Sequence, residues 1–205
     1  MIRKPEPDSG ILGKERKVNG MRSVLLVNGS PHGNGNTKAA LTIAEEVFKG
    51  RDLAVDHFEI GNKPVRGCLG CGQCASTHRC AFNDDPCNEL IEKMLKCDAV
   101  IIGTPVYFAG PNGALCALLD RVFYAAANFG QLFAGKKAAA IATCWRAGAT
   151  PSIDRINKYF TYSQMPVVSS EYWNGYLGTH DRFGASVIHT LACNMADMLA
   201  ETADA

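Results

Sequence analysis

The 205-residue sequence has almost no charge imbalance, no long apolar run and few aromatic side chains. Its 21 lysines and arginines against 20 aspartates and glutamates leave a net charge of +1. That balance provides no bulk attraction to nucleic acid or to an anionic membrane, so neither is expected as a partner. No stretch approaches the roughly 18 uninterrupted apolar residues of a membrane span. The opening residues mix Arg3, Lys4, Glu6 and Asp8 with no apolar core behind them, so no secretory signal is expected there. Residues 1–20 also lack sustained periodicity and contain Pro5, Pro7, Gly10, Gly13 and Gly20, the composition of a mobile extension. One globular domain is expected over residues 21–205, in a cytoplasmic protein.

Cysteine, by contrast, is abundant. The nine cysteines are odd in number, and Cys68, Cys71, Cys74 and Cys80 crowd into thirteen positions. Such crowding staples a domain poorly and points to metal or redox use in a reducing compartment.

From Ser23 onward, apolar runs alternate with amphipathic stretches. Residues 24–27, 99–103, 138–143 and 165–169 read as buried strands, and residues 53–60 as a less regular strand nearer an edge. Between them, Ala40, Leu41, Ala44, Val47 and Phe48 recur at helical spacing, as do Leu90, Ile91, Met94 and Leu95 after Asp85-Pro86. Residues 113–128, the set Ile153, Ile156, Tyr159 and Phe160, and the set Val187, Leu191, Met195, Met198 and Leu199 supply three more helices. Five strands alternating with five helices predict an α/β fold with a doubly wound, five-stranded parallel sheet. The flavodoxin-like order 2-1-3-4-5 is the expected arrangement.

Ligands of such sheets sit beyond the carboxyl ends of the strands. The first such loop, Asn28-Gly29-Ser30-Pro31-His32-Gly33-Asn34-Gly35-Asn36-Thr37, joins a buried strand to a helix N-terminus and offers hydroxyl and amide donors. It lacks the Lys-[Ser/Thr] ending of a triphosphate loop and the full Gly-x-Gly-x-x-Gly spacing, because position 38 is Lys. A cradle for a terminal monophosphate is the reading set against an ordinary glycine-rich turn. The second loop, residues 104–113, carries Pro105, Val106, Tyr107, Phe108 and Asn112, able to wall a flat ring or simply to pack. The third, residues 143–150, places Trp145 and Arg146 beside Ala147 and Gly148, where the guanidinium either faces solvent or stabilises an anion.

The segment Gly67-Cys68-Leu69-Gly70-Cys71-Gly72-Gln73-Cys74, with Cys80 six positions on, lets one loop wrap three corners of a cuboidal cluster and close a Cys₄ set. Zinc uses the same donors but more often sits between paired knuckles, and free thiols cycling through a disulfide are a third reading.

These motifs together resemble the NADPH-dependent FMN reductase and iron–sulfur flavoprotein branch of the flavodoxin-like superfamily, over about residues 23–199. The marks are Gly29-Ser30-Pro31-His32 with Gly35-Asn36-Thr37, the four-cysteine loop, Asn83-Asp84-Asp85, Pro105-Val106-Tyr107-Phe108, Leu119-Asp120-Arg121, Arg146-Ala147-Gly148, and Tyr172-Trp173-Asn174 with Gly178. The resemblance implies noncovalent FMN, with Ser30, His32, Asn36 and Thr37 on its phosphate. Pro105, Val106, Tyr107, Phe108 and Asn112 would line the isoalloxazine, and Arg146, Ala147 and Gly148 would form the third wall. It implies a homodimer or homotetramer with Trp173 and Asn174 near a neighbouring site or the pocket wall, core packing being the alternative for Trp173. His32 and Cys116 stand where many relatives carry Arg and Lys, and Trp145 precedes Arg146.

The implied activity is electron transfer from NAD(P)H through FMN to a small acceptor such as a quinone, nitro or azo compound, with no catalytic side chain required. An iron–sulfur flavoprotein carrying electrons from a ferredoxin-like partner, with a [4Fe-4S] cluster on Cys68, Cys71, Cys74 and Cys80, is the alternative. A thiol sensor or interaction protein built on the same fold is the third.

Overall fold

The computed structural model describes residues 21–201. The expected extension at residues 1–20 lies outside them. In chain order the elements are β1 (Ser23–Asn28), α1 (Asn36–Gly50), β2 (Ala54–Glu59), α2 (Cys74–Thr77), α3 (Cys87–Lys96) and β3 (Ala99–Tyr107). There follow β4 (Gly110–Pro111), α4 (Gly113–Ala126), β5 (Lys137–Thr143), α5 (Ala149–Tyr162), β6 (Gly175–Tyr176) and α6 (Arg182–Glu201). Hydrogen bonding sets the sheet order β2-β1-β3-β5-β6, every neighbour parallel, while β4 folds back antiparallel on β3. Counted without that short hairpin strand, this is the expected 2-1-3-4-5 order.

Period-two alternation splits the apolar strands between two cores. Leu25, Val27, Val100, Ile102, Ala138 and Ala140 face α3, α4 and α5. Val24, Leu26, Ala99, Ile101, Ala139 and Ile141 face α1 and α6. A strand buried on both sides reads as a continuous apolar run for this reason.

The edge differs from expectation. Residues 165–169 do not form a continuous strand: only a bridge between Ala138 and Val167 survives, and pairing resumes at β6 with Ala142–Gly175 and Thr143–Tyr176. The Pro166 carbonyl accepts from Ala138 at 2.9 Å and the Val168 N–H donates to the Ala138 carbonyl at 2.8 Å, after which the chain leaves the edge. The Asn174 side chain repairs the gap. Its Nδ2 donates to the Ala140 carbonyl at 3.1 Å, while its backbone carbonyl accepts from Ala142 at 3.0 Å. Short α2, within the cysteine loop, is a second element the periodicity did not suggest. Among the described residues no helix is long and apolar enough to cross a membrane.

Replacing Asn174 by Ala strands the buried Ala140 carbonyl, and a loss of about 1–3 kcal/mol is expected in urea unfolding. An unchanged denaturation midpoint would show that the side chain does not complete the ladder.

Candidate functional site

Strand order reverses between β1 and β3, and the loops that leave their carboxyl ends flank the resulting crevice. At the end of β1, buried Asn28 donates from Nδ2 to Glu59 Oε2 at 2.6 Å and accepts the Ser30 N–H on Oδ1 at 3.0 Å. The Ser30 hydroxyl in turn accepts the His32 N–H at 3.1 Å. The loop is thus pinned from inside while His32 and Asn36 stay exposed. Gly29 crosses close over β3: its N–H donates to the Gly103 carbonyl at 2.8 Å, and a Cβ there would lie 2.5 Å from Leu115 Cδ2 and 2.7 Å from that carbonyl oxygen. α1 then starts behind Gly35 with no side-chain cap, leaving its first N–H groups and partial positive charge for an anion. Open space beside Gly33 and the amide of Asn36 against Gly178 complete this rim. The cradle fits a monophosphate.

Two residues do work that the sequence did not suggest. The Thr37 side chain is buried, its hydroxyl 2.9 Å from that of Thr143, so it ties the first loop to the third. Asn112 is also buried. Its Oδ1 caps α4 by accepting the Ala114 N–H at 3.1 Å, and its Nδ2 donates to the Gly29 carbonyl at 2.7 Å. Rather than lining a ring, Asn112 ties the second loop to the first.

The remaining candidates gather at the same edge. Pro105 and Val106 are half-buried at the end of β3, and Tyr107 and Phe108 are exposed. Phe108 and Ala109 take left-handed φ values of 50° and 62° to turn the β3–β4 hairpin, a conformation that costs a non-glycine residue about 1–2 kcal/mol. Such strain concentrates at ligand clamps. Trp145, Arg146 and Ala147 are exposed, with the Arg146 guanidinium 6.0 Å from the Trp145 ring centroid. Gly148 (φ 90°) begins α5 pressed against the hairpin, where a Cβ would meet Val106 Cγ1 and Ala109 Cα at 2.7 Å. All three loops therefore touch one another, and exposed aromatics with one guanidinium surround the opening. This edge suits a flat, partly anionic ring. Trp173 lies exposed beside Tyr172, centroids 5.9 Å apart, rather than packed in the core, whereas Asn174 points inward to the sheet.

The four crowded cysteines line a single cavity of about 20 Å³, shared with Phe82, Arg121 and Tyr124. Cys68 and Cys71 are exposed, Cys80 is half-buried and Cys74 is buried. Burial pushes the Cys74 thiol up, and the neighbouring Cys71, Cys80 and Cys68 add to the shift. Burial pushes nearby Cys87 up to about 12, which keeps it a protonated, inert thiol at neutral pH. Among the described residues no three His, Cys, Asp or Glu side chains converge closely enough for one metal ion. Four free thiols line one cavity, a donor set that a cluster would use with one sulfur on each iron. The cavity has room for about one water, so a cluster would have to enlarge it. The limb able to yield is residues 67–72, where Gly67, Gly70 and Gly72 have open space around them and the latter two take left-handed φ values of 63° and 72°.

The other limb is rigid. Asn88 of α3 accepts the Cys80 N–H at 2.8 Å and donates to its carbonyl at 2.9 Å. From α4, Arg121 donates through Nε and Nη2 to Cys80 Sγ, both at 3.3 Å, and through Nη1 to Asp85. Both members of this ion pair have side chains only 2% exposed. Burial alone lowers the Arg121 pKa, but the hydrogen bonds to Asp85 and Cys80 outweigh it and hold the guanidinium above its ordinary value. Asp85 was expected to cap the helix that opens at Pro86, and its Oδ1 accepts the Cys87 N–H at 3.2 Å, whereas Arg121 was marked without a role. The available signal was a charged residue among Leu118, Leu119 and Val122, on a helix face that demands a buried partner.

A model of the family described as NADPH-dependent FMN reductase matches residues 22–177. The chain is 28% identical over 145 residues to an iron–sulfur flavoprotein of Methanocaldococcus jannaschii, covering 71% of this chain and 75% of that one. It is 30% identical over 98 residues to an FMN-dependent NADPH-azoreductase of Staphylococcus aureus, 48% of this chain and 50% of the other. Its fold is similar to a solved flavodoxin from the domain Archaea, with a TM-score of 0.59, 12% identity, and coverage of 87% and 99% of the two chains.

Replacing Gly29 by Ala forces the first loop off β3 and is expected to cost about 1–3 kcal/mol in urea unfolding. FMN titrated into the variant, followed by flavin fluorescence, should bind more weakly than to the unaltered chain. Equal affinity would show that this close approach does not shape the cradle.

Proposed function

The chain belongs to the NADPH-dependent FMN reductase family and is an FMN-dependent oxidoreductase, and on that basis we propose that it passes electrons from NAD(P)H to a small quinone, nitro or azo acceptor. The contact of all three loops around one crevice, with the uncapped α1 start at its floor, supports this reading above any other observation. When bound, FMN supplies the hydride acceptor and passes electrons on singly or in pairs. The chain's own residues bind and orient it. Ser30, His32, Asn36 and the first N–H groups of α1 hold the phosphate. Arg146 brings positive charge to the ring edge, where it favours an anion. Tyr107, Phe108 and Trp145 supply apolar walls that a nicotinamide or a flat acceptor can share. Exposed Tyr172, Trp173 and Phe183 form a contiguous aromatic patch, which supports assembly as a homodimer or homotetramer.

A second reading rests on the cysteine cavity. Cys68, Cys71, Cys74 and Cys80, which line it, would hold a [4Fe-4S] cluster, and such a group would supply single-electron exchange with a ferredoxin-like partner. A relative named as an iron–sulfur flavoprotein, matched over most of its length, supports it.

Anaerobic mixing of the FMN-loaded chain with NADPH or NADH should bleach the flavin absorbance rapidly, and a quinone, nitro or azo compound should restore it. Slow bleaching by both nucleotides, with rapid reduction by a ferredoxin, would overturn the first reading in favour of the second. Protein purified without oxygen should contain about four irons and four sulfides per chain. Iron and sulfide at background level would overturn the cluster assignment and leave the flavin chemistry standing.

A further inference from the structure

We propose that Arg121 is a positioning residue that sets the reduction potential of the metal centre through paired N–H···S hydrogen bonds to Cys80. The proposal rests on the cluster reading of the cysteine cavity.

Three observations carry it. First, Arg121 reaches the cavity wall and presents two donors, Nε and Nη2, to one sulfur at 3.3 Å each. Second, its other edge is committed elsewhere: Nη1 donates to Asp85 and to the Arg66 carbonyl at 3.2 Å. Asp85 also accepts the Arg66 N–H at 3.1 Å and the Cys87 N–H at 3.2 Å, so the carboxylate that holds the guanidinium is itself hydrogen-bonded on both oxygens. Third, Asn88 clamps the Cys80 backbone at both N–H and carbonyl. Cys80 is therefore the one fixed corner of the set, and its sulfur is the one given two charged donors.

A helix-packing role asks only for the Asp85 bond. Nη2 also donates to the Phe82 carbonyl at 3.4 Å, but turning two donors onto one sulfur is what a redox centre uses, because N–H donors to a ligating sulfur stabilise the more negative, reduced state and raise the potential. The effect acts on the electrons of the centre and not on the fold. It therefore predicts a change in potential without a change in metal content.

The test compares the full chain with Arg121→Lys, both purified without oxygen and poised by redox titration with EPR detection. Lysine keeps the positive charge beside Asp85 but has no planar edge to give Cys80 two bonds. The expected result is unchanged iron and sulfide, a cluster potential shifted to more negative values, and an unshifted flavin potential. An unshifted cluster potential in a fully loaded variant would overturn the role of Arg121 alone. If the variant does not accumulate, pulsed EPR of the reduced unaltered chain grown on ¹⁵N-arginine decides. A guanidinium nitrogen coupling at the cluster supports the assignment, and its absence overturns it. No iron or sulfide in the unaltered chain would overturn both this inference and the cluster reading, a result distinct from either outcome above.

Discussion

Helix α4 is a strut between two sites. At its N-terminus, Asn112 caps the helix and holds the Gly29 carbonyl, so the phosphate loop and the helix share one amide. Nine residues further on, Arg121 holds Asp85 and Cys80. At 1.5 Å of rise per residue these two anchor points stand about 13 Å apart along a rigid rod. The apolar face carrying Leu115, Leu118, Leu119 and Val122 is fully buried against the sheet, so neither end can shift without disturbing the core. A flavin at one end and a metal centre at the other would thereby keep a constant separation.

The two ends use polar groups differently. Around the crevice, buried Asn28, Thr37, Asn112 and Thr143 spend their hydrogen-bonding capacity on one another's loops. His32 and Asn36 of the first loop stay exposed, while Ser30 is buried beneath them. Around the cysteines, one rigid limb built on Asn88 and Arg121 opposes a limb with little packing. The crevice is tied together by its own polar groups, whereas the cavity has one tied limb and one loose one, so a bulky inorganic group there would need the loose limb to move.

Much of the fold was legible because burial leaves a periodic trace. Continuous runs at residues 24–27 and 99–102 and helical spacing through Leu90, Ile91 and Met94 gave the parallel sheet and left few orders, of which the observed one is common. The loops at the strand ends were legible for the same reason, since their place follows from topology. What escaped was pairing between distant polar atoms. Nothing local distinguishes Asn112 lining a ring from Asn112 bonding a carbonyl 83 residues away. Asn174 could not be read as a substitute ladder donor until the edge strand was seen to end after Val168. Arg121 was recognised as part of a motif, but its contact with Cys80 spans 41 residues and depends on how α4 packs.

The glycines of the cysteine limb show a different kind of constraint. At Gly70 and Gly72 no neighbour forbids a side chain, yet the backbone sits where only the mirror-image stereocentre is comfortable. The requirement there is one of chirality, not of volume. A D-alanine introduced by chemical synthesis would be accommodated where its natural enantiomer would strain the turn, whereas at Gly29 it is the neighbours Leu115 and Gly103 that refuse the natural Cβ.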